Sequence, residues 1–430
     1  MGQILSQPMT EKDTDQGEDA RRVYGISSMQ GWRISMEDAH ATVLSLSEEP
    51  KVSFFAVYDG HGGEKTAQFA GTKVHELVKA SPAFAEQNWE KALKDGFLSF
   101  DAELLARSHE DDFDGSGCAA TTAIITNDAI ICANAGDSRT VLGRRGVAKP
   151  LSFDHKPENE GERSRINAAG GFVEMGRVNA NLALSRALGD FNFKNNPRLA
   201  PEQQVVTAAP DVVEHALDAD DEFVILACDG IWDCMTSQQA VEFVRRGISE
   251  RVPLADICEL MMEECLAPDS DMSGIGCDNM TACVVALLQP GQTKEQWYDE
   301  IADRVARGDG PVGSRSWDEI KNEIEQGRRG GRLAAGSRGP ADVEEDEDAE
   351  LPMPEASQLV QQLFGGGAGG GGQLSGADAT SLLSRMGLRL NMHMPEDLED
   401  EVEIVDEHDD EHGDDSESRV SEVHEDTQHS

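Results

Sequence analysis

Three aspartates stand where a long apolar run meets a polar break. Val52–Tyr58 runs into Asp59-Gly60-His61-Gly62-Gly63, Phe223–Cys228 runs into Asp229-Gly230, and Asp278-Asn279 opens the run Met280–Leu288. Apolar runs of this length read as buried strands, so each aspartate is expected at a strand end, with the backbone turning sharply after Tyr58. A single Asp-Gly pair is usually no more than a turn. Three carboxylates at three strand ends, far apart in sequence, point instead to one site of oxygen ligands. Carboxylates with a backbone carbonyl and waters suit hard cations such as Mg2+ or Mn2+. A carboxylate can bridge two such ions. A water shared between them has a lowered pKa and becomes a nucleophile near neutral pH, while the ions neutralise phosphate oxygens. The chemistry expected of these residues is metal-assisted phosphoester hydrolysis.

The elements that must position them can be read along the chain. Strands are expected at Val23–Ser28, Ala41–Leu46, Val52–Tyr58, Cys118–Thr126, Ala129–Ala135, Thr140–Arg144, Phe223–Cys228 and Met280–Leu288. Helices are expected at Lys65–Lys79, Trp89–Arg107, Glu158–Ala169 (stopped by Gly170-Gly171) and Leu254–Leu266, and after the capping box Thr236-Ser237-Gln238-Gln239. Clusters of strands alternating with pairs of helices fit an α+β sandwich, with mostly antiparallel sheets covered by helices. The organisation expected is a flexible N-terminus at 1–21, one folded domain at 22–290, and a short helical extension at 291–327. A Gly-rich, acidic tail at 328–430 follows, expected to be disordered. It contains seven glycines in the eight residues 365–372, a flexible linker composition. No internal repeat is present.

The formal net charge is −45, and residues 341–430 contribute −23 of it through 26 acidic and 3 basic side chains. Such a surface repels nucleic-acid phosphates; it is compatible with divalent cations and with basic peptides. Eight cysteines lie at 118, 132, 228, 234, 258, 265, 277 and 283, without a CxxC pair or zinc-finger spacing. Most fall inside apolar runs and read as buried, reduced thiols, which favours a cytoplasmic or nuclear protein. No apolar stretch reaches the roughly 20 residues that span a bilayer, and no signal-peptide apolar region is visible. Met1-Gly2-Gln3-Ile4-Leu5-Ser6 fits the myristoylation pattern at Gly2. One such chain gives only weak, reversible membrane association.

Seven segments, in order across roughly residues 22–290, resemble the metal-dependent protein phosphatases of the protein phosphatase 2C type. They are Arg33-Ile34-Ser35-Met36-Glu37-Asp38, Tyr58-Asp59-Gly60-His61-Gly62-Gly63, Gly136-Asp137-Ser138-Arg139, Asp154-His155-Lys156-Pro157, Leu184-Ser185-Arg186-Ala187-Leu188-Gly189-Asp190, Ala227-Cys228-Asp229-Gly230-Ile231-Trp232-Asp233 and Cys277-Asp278-Asn279-Met280-Thr281. The N-terminal Met-Gly and the extension after 290 look most like yeast and fungal members. The resemblance implies a four-layer αββα sandwich and two Mg2+ or Mn2+ ions, with a weaker third. Asp59 would bridge two ions, Asp229 and Asp278 would complete the shell of the first, and Glu37 and the Gly60 carbonyl would serve the second, partly through water. Asp137 would hold the third ion with Asp229. Asp38 and Asn279 would support the ligands from behind, with Asp233 in a similar or structural role.

The resemblance further implies that a hydroxide shared by the ions attacks phosphorus in line, without a covalent intermediate. Arg33 would clamp the substrate phosphate, and His61 would protonate the leaving Ser or Thr oxygen. Nothing marks Cys118 or Cys228 as a nucleophile. Asp154-His155-Lys156-Pro157 would form a turn at the substrate's edge, and residues 162–190 would form a flap beside the site. The implied substrates are phosphoserine and phosphothreonine proteins, protein kinases among them, acted on by a monomer that binds no nucleic acid. One departure stands out: many members have Ser-Gly-x-Thr-Ala where this chain has Ser116-Gly117-Cys118-Ala119-Ala120, so a hydroxyl near the third-ion region is missing at Ala119. The alternative is a pseudophosphatase, a binding module acting through the fold or the acidic tail. The presence of every implied ligand weighs against it.

Overall fold

The computed structural model describes residues 4–108, 115–270 and 274–335, with side chains to Gln326. Gly2 and the acidic tail lie outside the described residues. The strands are β1 (Ile4–Glu18), β2 (Arg22–Arg33), β3 (Ala39–Glu48), β4 (Lys51–His61), β5 (Gly117–Ile125), β6 (Ala129–Ala135), β7 (Arg139–Arg144), β8 (Val147–Pro150), β9 (Val173–Glu174), β10 (Arg177–Val178), β11 (Leu188–Gly189), β12 (Asp211–Ala216), β13 (Asp221–Ala227) and β14 (Met280–Leu287). The helices are α1 (Lys65–Ala80), α2 (Pro82–Ala85), α3 (Trp89–Arg107), α4 (Glu160–Ala168), α5 (Asp229–Trp232), α6 (Ser237–Ser249), α7 (Leu254–Cys265), α8 (Lys294–Ala306) and α9 (Trp317–Ala335).

One large sheet has the order β1-β2-β14-β13-β7-β8 and a second large sheet β12-β6-β5-β4-β3, with β11 added beside β5, while β9 and β10 pair as a separate two-stranded ribbon. The strand ladders of both sheets are antiparallel. Side chains alternate across each strand, and here both faces are covered. On β13, Val224 and Leu226 enter a core between the sheets, where they join Phe55 and Val57 of β4. Phe223, Ile225 and Ala227 face the opposite way, onto a layer that includes residues of α6, α7, α8 and α9. Phe54, Ala56 and Tyr58 of β4 face residues of α1 and α3. This double coverage is why the central strands read as continuous apolar runs rather than as alternating ones. The four-layer αββα sandwich expected from the resemblance is the fold observed.

Three expectations need correction. Residues 4–18, expected to be flexible, form β1, which pairs with β2. β1 lies at a sheet edge and carries no apolar side chain from Thr10 to Glu18, so over most of its length it lacks the apolar pattern that marks a strand. Polar ties hold it: Lys12 Nζ to Glu263 Oε1 at 2.7 Å, Tyr24 Oη to Asp15 Oδ2 at 2.6 Å, and Thr14 Oγ1 to Glu259 Oε1 at 2.7 Å. The backbone does not turn after Tyr58. β4 stays on the β5 ladder through Asp59↔Ala119, Gly60↔Cys118 and His61↔Gly117. The turn comes at Gly62 (φ 69°) and Gly63 (φ 136°), where glycine tolerates the left-handed backbone. Finally, α9 continues past 327 to Ala335; its Arg, Leu and Ala residues favour a helix and offset the cost of its glycines.

Candidate metal centre

The site lies at one end of the gap between the sheets. Asp59 shares its strand face with Phe55 and Val57, so its carboxylate belongs to that gap, next to Ala119 on β5. β13 ends at Ala227, and Asp229 begins the single turn α5. The Asp229 N–H faces Asp59 Oδ2 at 3.4 Å. Asp137 follows Gly136 in the turn between β6 and β7. Ligand oxygens of Asp59, Asp137 and Asp229 lie within 4.8 Å of one another.

Two glycines make this convergence possible. A Cβ on Gly60 would come within 2.1 Å of the Glu37 carbonyl oxygen, and one on Gly230 within 2.0 Å of the Asn279 carbonyl oxygen. Glycine is therefore required at 60 because the Glu37 backbone presses against it, and at 230 because α5 presses against the Asp278-Asn279 segment. Asn279 ties that segment down. Its Oδ1 accepts from the Glu37 N–H at 2.9 Å, and its Nδ2 donates to the carbonyls of Gln30 at 2.8 Å and Ser35 at 2.9 Å.

The electrostatics are those of a crowded anionic site. Burial, then Asp229, Asp38, Asp137 and Asp278, push the Asp59 carboxyl well above its ordinary range. Burial, then Asp137 and Asp278, do the same to Asp229. Asp38 is raised to about 7, chiefly by burial. It accepts from Thr281 Oγ1 at 2.7 Å. Buried like charges of this kind call for a cation, and an all-carboxylate donor set fits a hard divalent ion. Asp38, Asp59 and Cys228 also lie close together. Burial first and then Asp38 and Asp59 push the Cys228 thiol well up, and a soft sulfur is a poorer match than a carboxylate for a hard divalent ion.

The remaining expected residues surround this group. Arg33 Nη2 donates to Asp278 Oδ2, and Asp278 Oδ1 accepts from the Asn279 N–H at 2.7 Å. Ser35 Oγ donates to Glu37 Oε1 at 2.9 Å. Among the described residues, Glu37 and Asp278 fall outside the tightest carboxylate groups. Burial first and then Lys156, which acts in the opposite sense, set the net rise of Asp233.

Two partners were not assigned from the sequence. His61 Nε2 lies 2.7 Å from Asp190 Oδ2, with Asp190 in the left-handed region at φ 54°. Burial would lower the imidazole pKa, but the Asp190 hydrogen bond and charge outweigh it and the net shift is upward. The only sequence signal was Asp190's place at the end of the Leu184–Asp190 segment. Lys156, read as part of a turn, donates to Asp137 Oδ2 at 2.5 Å.

An αββα sandwich closing on a cluster of buried carboxylates is the architecture of a metal-dependent phosphatase. The profile of the family described as Protein phosphatase 2C matches residues 22–274. Protein phosphatase 2C homolog 2 of Aspergillus fumigatus is 54% identical over 332 residues, which cover 73% of this chain and 77% of the relative. Protein phosphatase 2C homolog 3 of Schizosaccharomyces pombe is 56% identical, over 72% of this chain and 75% of the relative. A crystal structure of a phosphatase from Toxoplasma gondii superposes with a TM-score of 0.55 at 26% identity, covering 64% of this chain and 96% of that one. The chain belongs to the protein phosphatase 2C family and is a metal-dependent protein serine/threonine phosphatase.

Proposed function

We propose that the chain hydrolyses phosphoserine and phosphothreonine in proteins using two ions, Mg2+ or Mn2+, held by Asp59, Asp229, Asp278, Glu37 and the Gly60 carbonyl, with a weaker third at Asp137. The observation that carries this reading is the convergence of the Asp59, Asp137 and Asp229 oxygens within 4.8 Å, in surroundings that disfavour the charged forms of Asp59 and Asp229. Bound divalent ions neutralise phosphate oxygens and lower the pKa of a water that can attack in line. The chain's own residues do the rest. Arg33, steered by Asp278, presents its remaining N–H groups to the phosphate. His61 gives a proton to the leaving Ser or Thr oxygen; with Nε2 engaged by Asp190, Nδ1 is the nitrogen left for that transfer. Asn279 and Asp38 fix the ligand segments from behind. The absence of a competent thiolate at Cys118 or Cys228, both pushed well up first by burial, agrees with hydrolysis that forms no phosphocysteine.

The test is phosphate release from a phosphothreonine peptide with Mn2+ or Mg2+, with and without excess chelator. Asp59→Asn and Asp229→Asn should lose at least about 10³-fold in kcat/KM, and chelator should abolish wild-type turnover. Full activity of either variant in chelator would sink the mechanism. Protein kinases as substrates, a cytoplasmic or nuclear location and myristoylation of Gly2 complete the reading. Intact mass measured after expression in a eukaryotic host tests the last of these. No helix among the described residues is long and apolar enough to cross a membrane.

A further inference from the structure

Asp137 has a cation already. Its carboxylate is only 8% exposed, and Lys156 Nζ meets Oδ2 at 2.5 Å. The same carboxylate belongs to the group it forms with Asp59 and Asp229. Lys156 cannot leave by moving its backbone, because its segment is stitched to the turn that carries Asp137. The His155 N–H donates to the Gly136 carbonyl at 2.9 Å, and the Gly136 N–H donates to His155 Nδ1 at 3.3 Å. One residue back, Asp154 takes both Nε and Nη2 of Arg139 at 2.9 Å. Only the Lys156 side chain, 45% exposed, is free to swing away.

We propose that Lys156 is a tethered stand-in for the third divalent ion: its ammonium occupies Asp137 until an ion displaces it, and this competition sets the weakness of that position. The proposal rests on the reading of Asp137 as a third-ion ligand. An ion entering between Asp59, Asp137 and Asp229 must break the Lys156 pair and then lie near a displaced positive charge, and both effects lower its affinity. The ions assigned to Asp59 with Asp278 and to Glu37 with Gly60 do not use Asp137, so they lack this direct competitor. A charge-neutral side chain at 156 should therefore tighten one class of ion and leave the other in place.

The experiment titrates the full-length chain with Mn2+ and follows free ion by electron paramagnetic resonance, for wild type, Lys156→Gln, Lys156→Met, Lys156→Arg, Asp137→Asn and Asp59→Asn. Weak binding by the acidic tail is a background common to all. The Asp137-dependent class is the one lost in Asp137→Asn. It should tighten by about tenfold in Lys156→Gln and Lys156→Met and stay near wild type in Lys156→Arg, which keeps the charge. Thermal melts in chelator identify which neutral variant is folded, and either one suffices. An Asp137-dependent class with wild-type affinity in a folded neutral variant overturns the proposal while leaving the metal centre intact. Retention of the tight class in Asp59→Asn would instead overturn the metal-centre reading itself.

Discussion

Without a cation, Asp59 is repelled by Asp229, Asp38, Asp137 and Asp278 in a buried setting. Neutralising it removes that repulsion, so Asp59→Asn should be inactive yet melt higher than wild type in excess chelator, by about 2 °C or more. A lower melting temperature in chelator would mean that Asp59 is structural rather than poised for an ion. At His61 the decisive contact is the 2.7 Å pairing with Asp190. Asp190→Asn removes the charge that favours the imidazolium and loosens the ring. It should cost about 10²-fold in kcat on a phosphothreonine peptide and far less on an aryl phosphate, whose leaving group needs no proton. Equal losses on both substrates would assign Asp190 to folding instead. The aspartates themselves were legible because each interrupts an apolar run. Their partners Asp190 and Lys156 were not, since a hydrogen bond between residues 129 or 19 apart in the chain leaves no local pattern.

The central strands and helices followed from apolar patterning and caps. The capping box at Thr236 and Gln239 is formed, and the runs at 52–58, 223–227 and 280–287 lie in buried strands. What patterning could not reveal were elements held by polar contacts, such as β1 at the sheet edge and the stretch after α4. That stretch is tied to α4 by Glu162, which takes Arg186 Nη2 and Arg165 Nη1, each at 2.7 Å, while Arg186 Nη1 also reaches Asp211 Oδ1 at 2.6 Å. Around this clamp Ile166, Val178, Leu184, Ala187 and Val206 pack on Ala119. A methyl there, where many family members have a threonine, faces an apolar cluster and the close backbone of Gly136. Burial acts to raise the Glu162 carboxyl, but the Arg186 bonds and the Arg165 charge bring it from 4.5 to about 2. A depressed carboxylate stabilises the fold above its unfolded pKa and loses that contribution as pH falls through the folded one. The shift corresponds to at most about 3 kcal/mol, part of it offset by burial, which pushes the Arg165 guanidinium down. Glu162→Gln should therefore lower stability in urea melts from pH 5 to 7, with the difference from wild type closing between pH 4.5 and 2. A difference independent of pH across that window would show that shape, not charge, matters at this position.

At the scale of the whole chain, the helical extension after β14 is keyed into the sandwich rather than appended to it. Arg245, fully buried on α6, and Arg304 on α8 both bond Glu222 Oε1 on β13, at 3.0 and 3.1 Å. Arg245 also donates to the carbonyls of Asp309 at 2.7 Å and Pro311 at 3.0 Å. Trp297, Ile301, Trp317 and Ile320 bury themselves in the same layer as α6 and α7. A chain cut after 290 would leave Glu222 buried without Arg304, and Arg245 buried without the Asp309 and Pro311 carbonyls, and would uncover that apolar layer. Breaking a buried ion network of this kind costs about 3–5 kcal/mol, so the 1–290 fragment should melt well below full length or aggregate. A cut after 341 removes none of these contacts but takes away −23 of the −45 net charge. Charge on a separate unit is felt by a bound cation only through a long-range field, and salt screens such a field over about 8 Å at physiological ionic strength. The 1–341 chain should therefore match full length in melting temperature and in kcat at 0.15 M salt, a concentration set by that screening length, and bind Mn2+ more weakly only at low salt. A tail that competes for the site predicts the opposite sign, with the shortened chain more active at physiological salt, and paired assays of the two chains across a salt series separate the two outcomes.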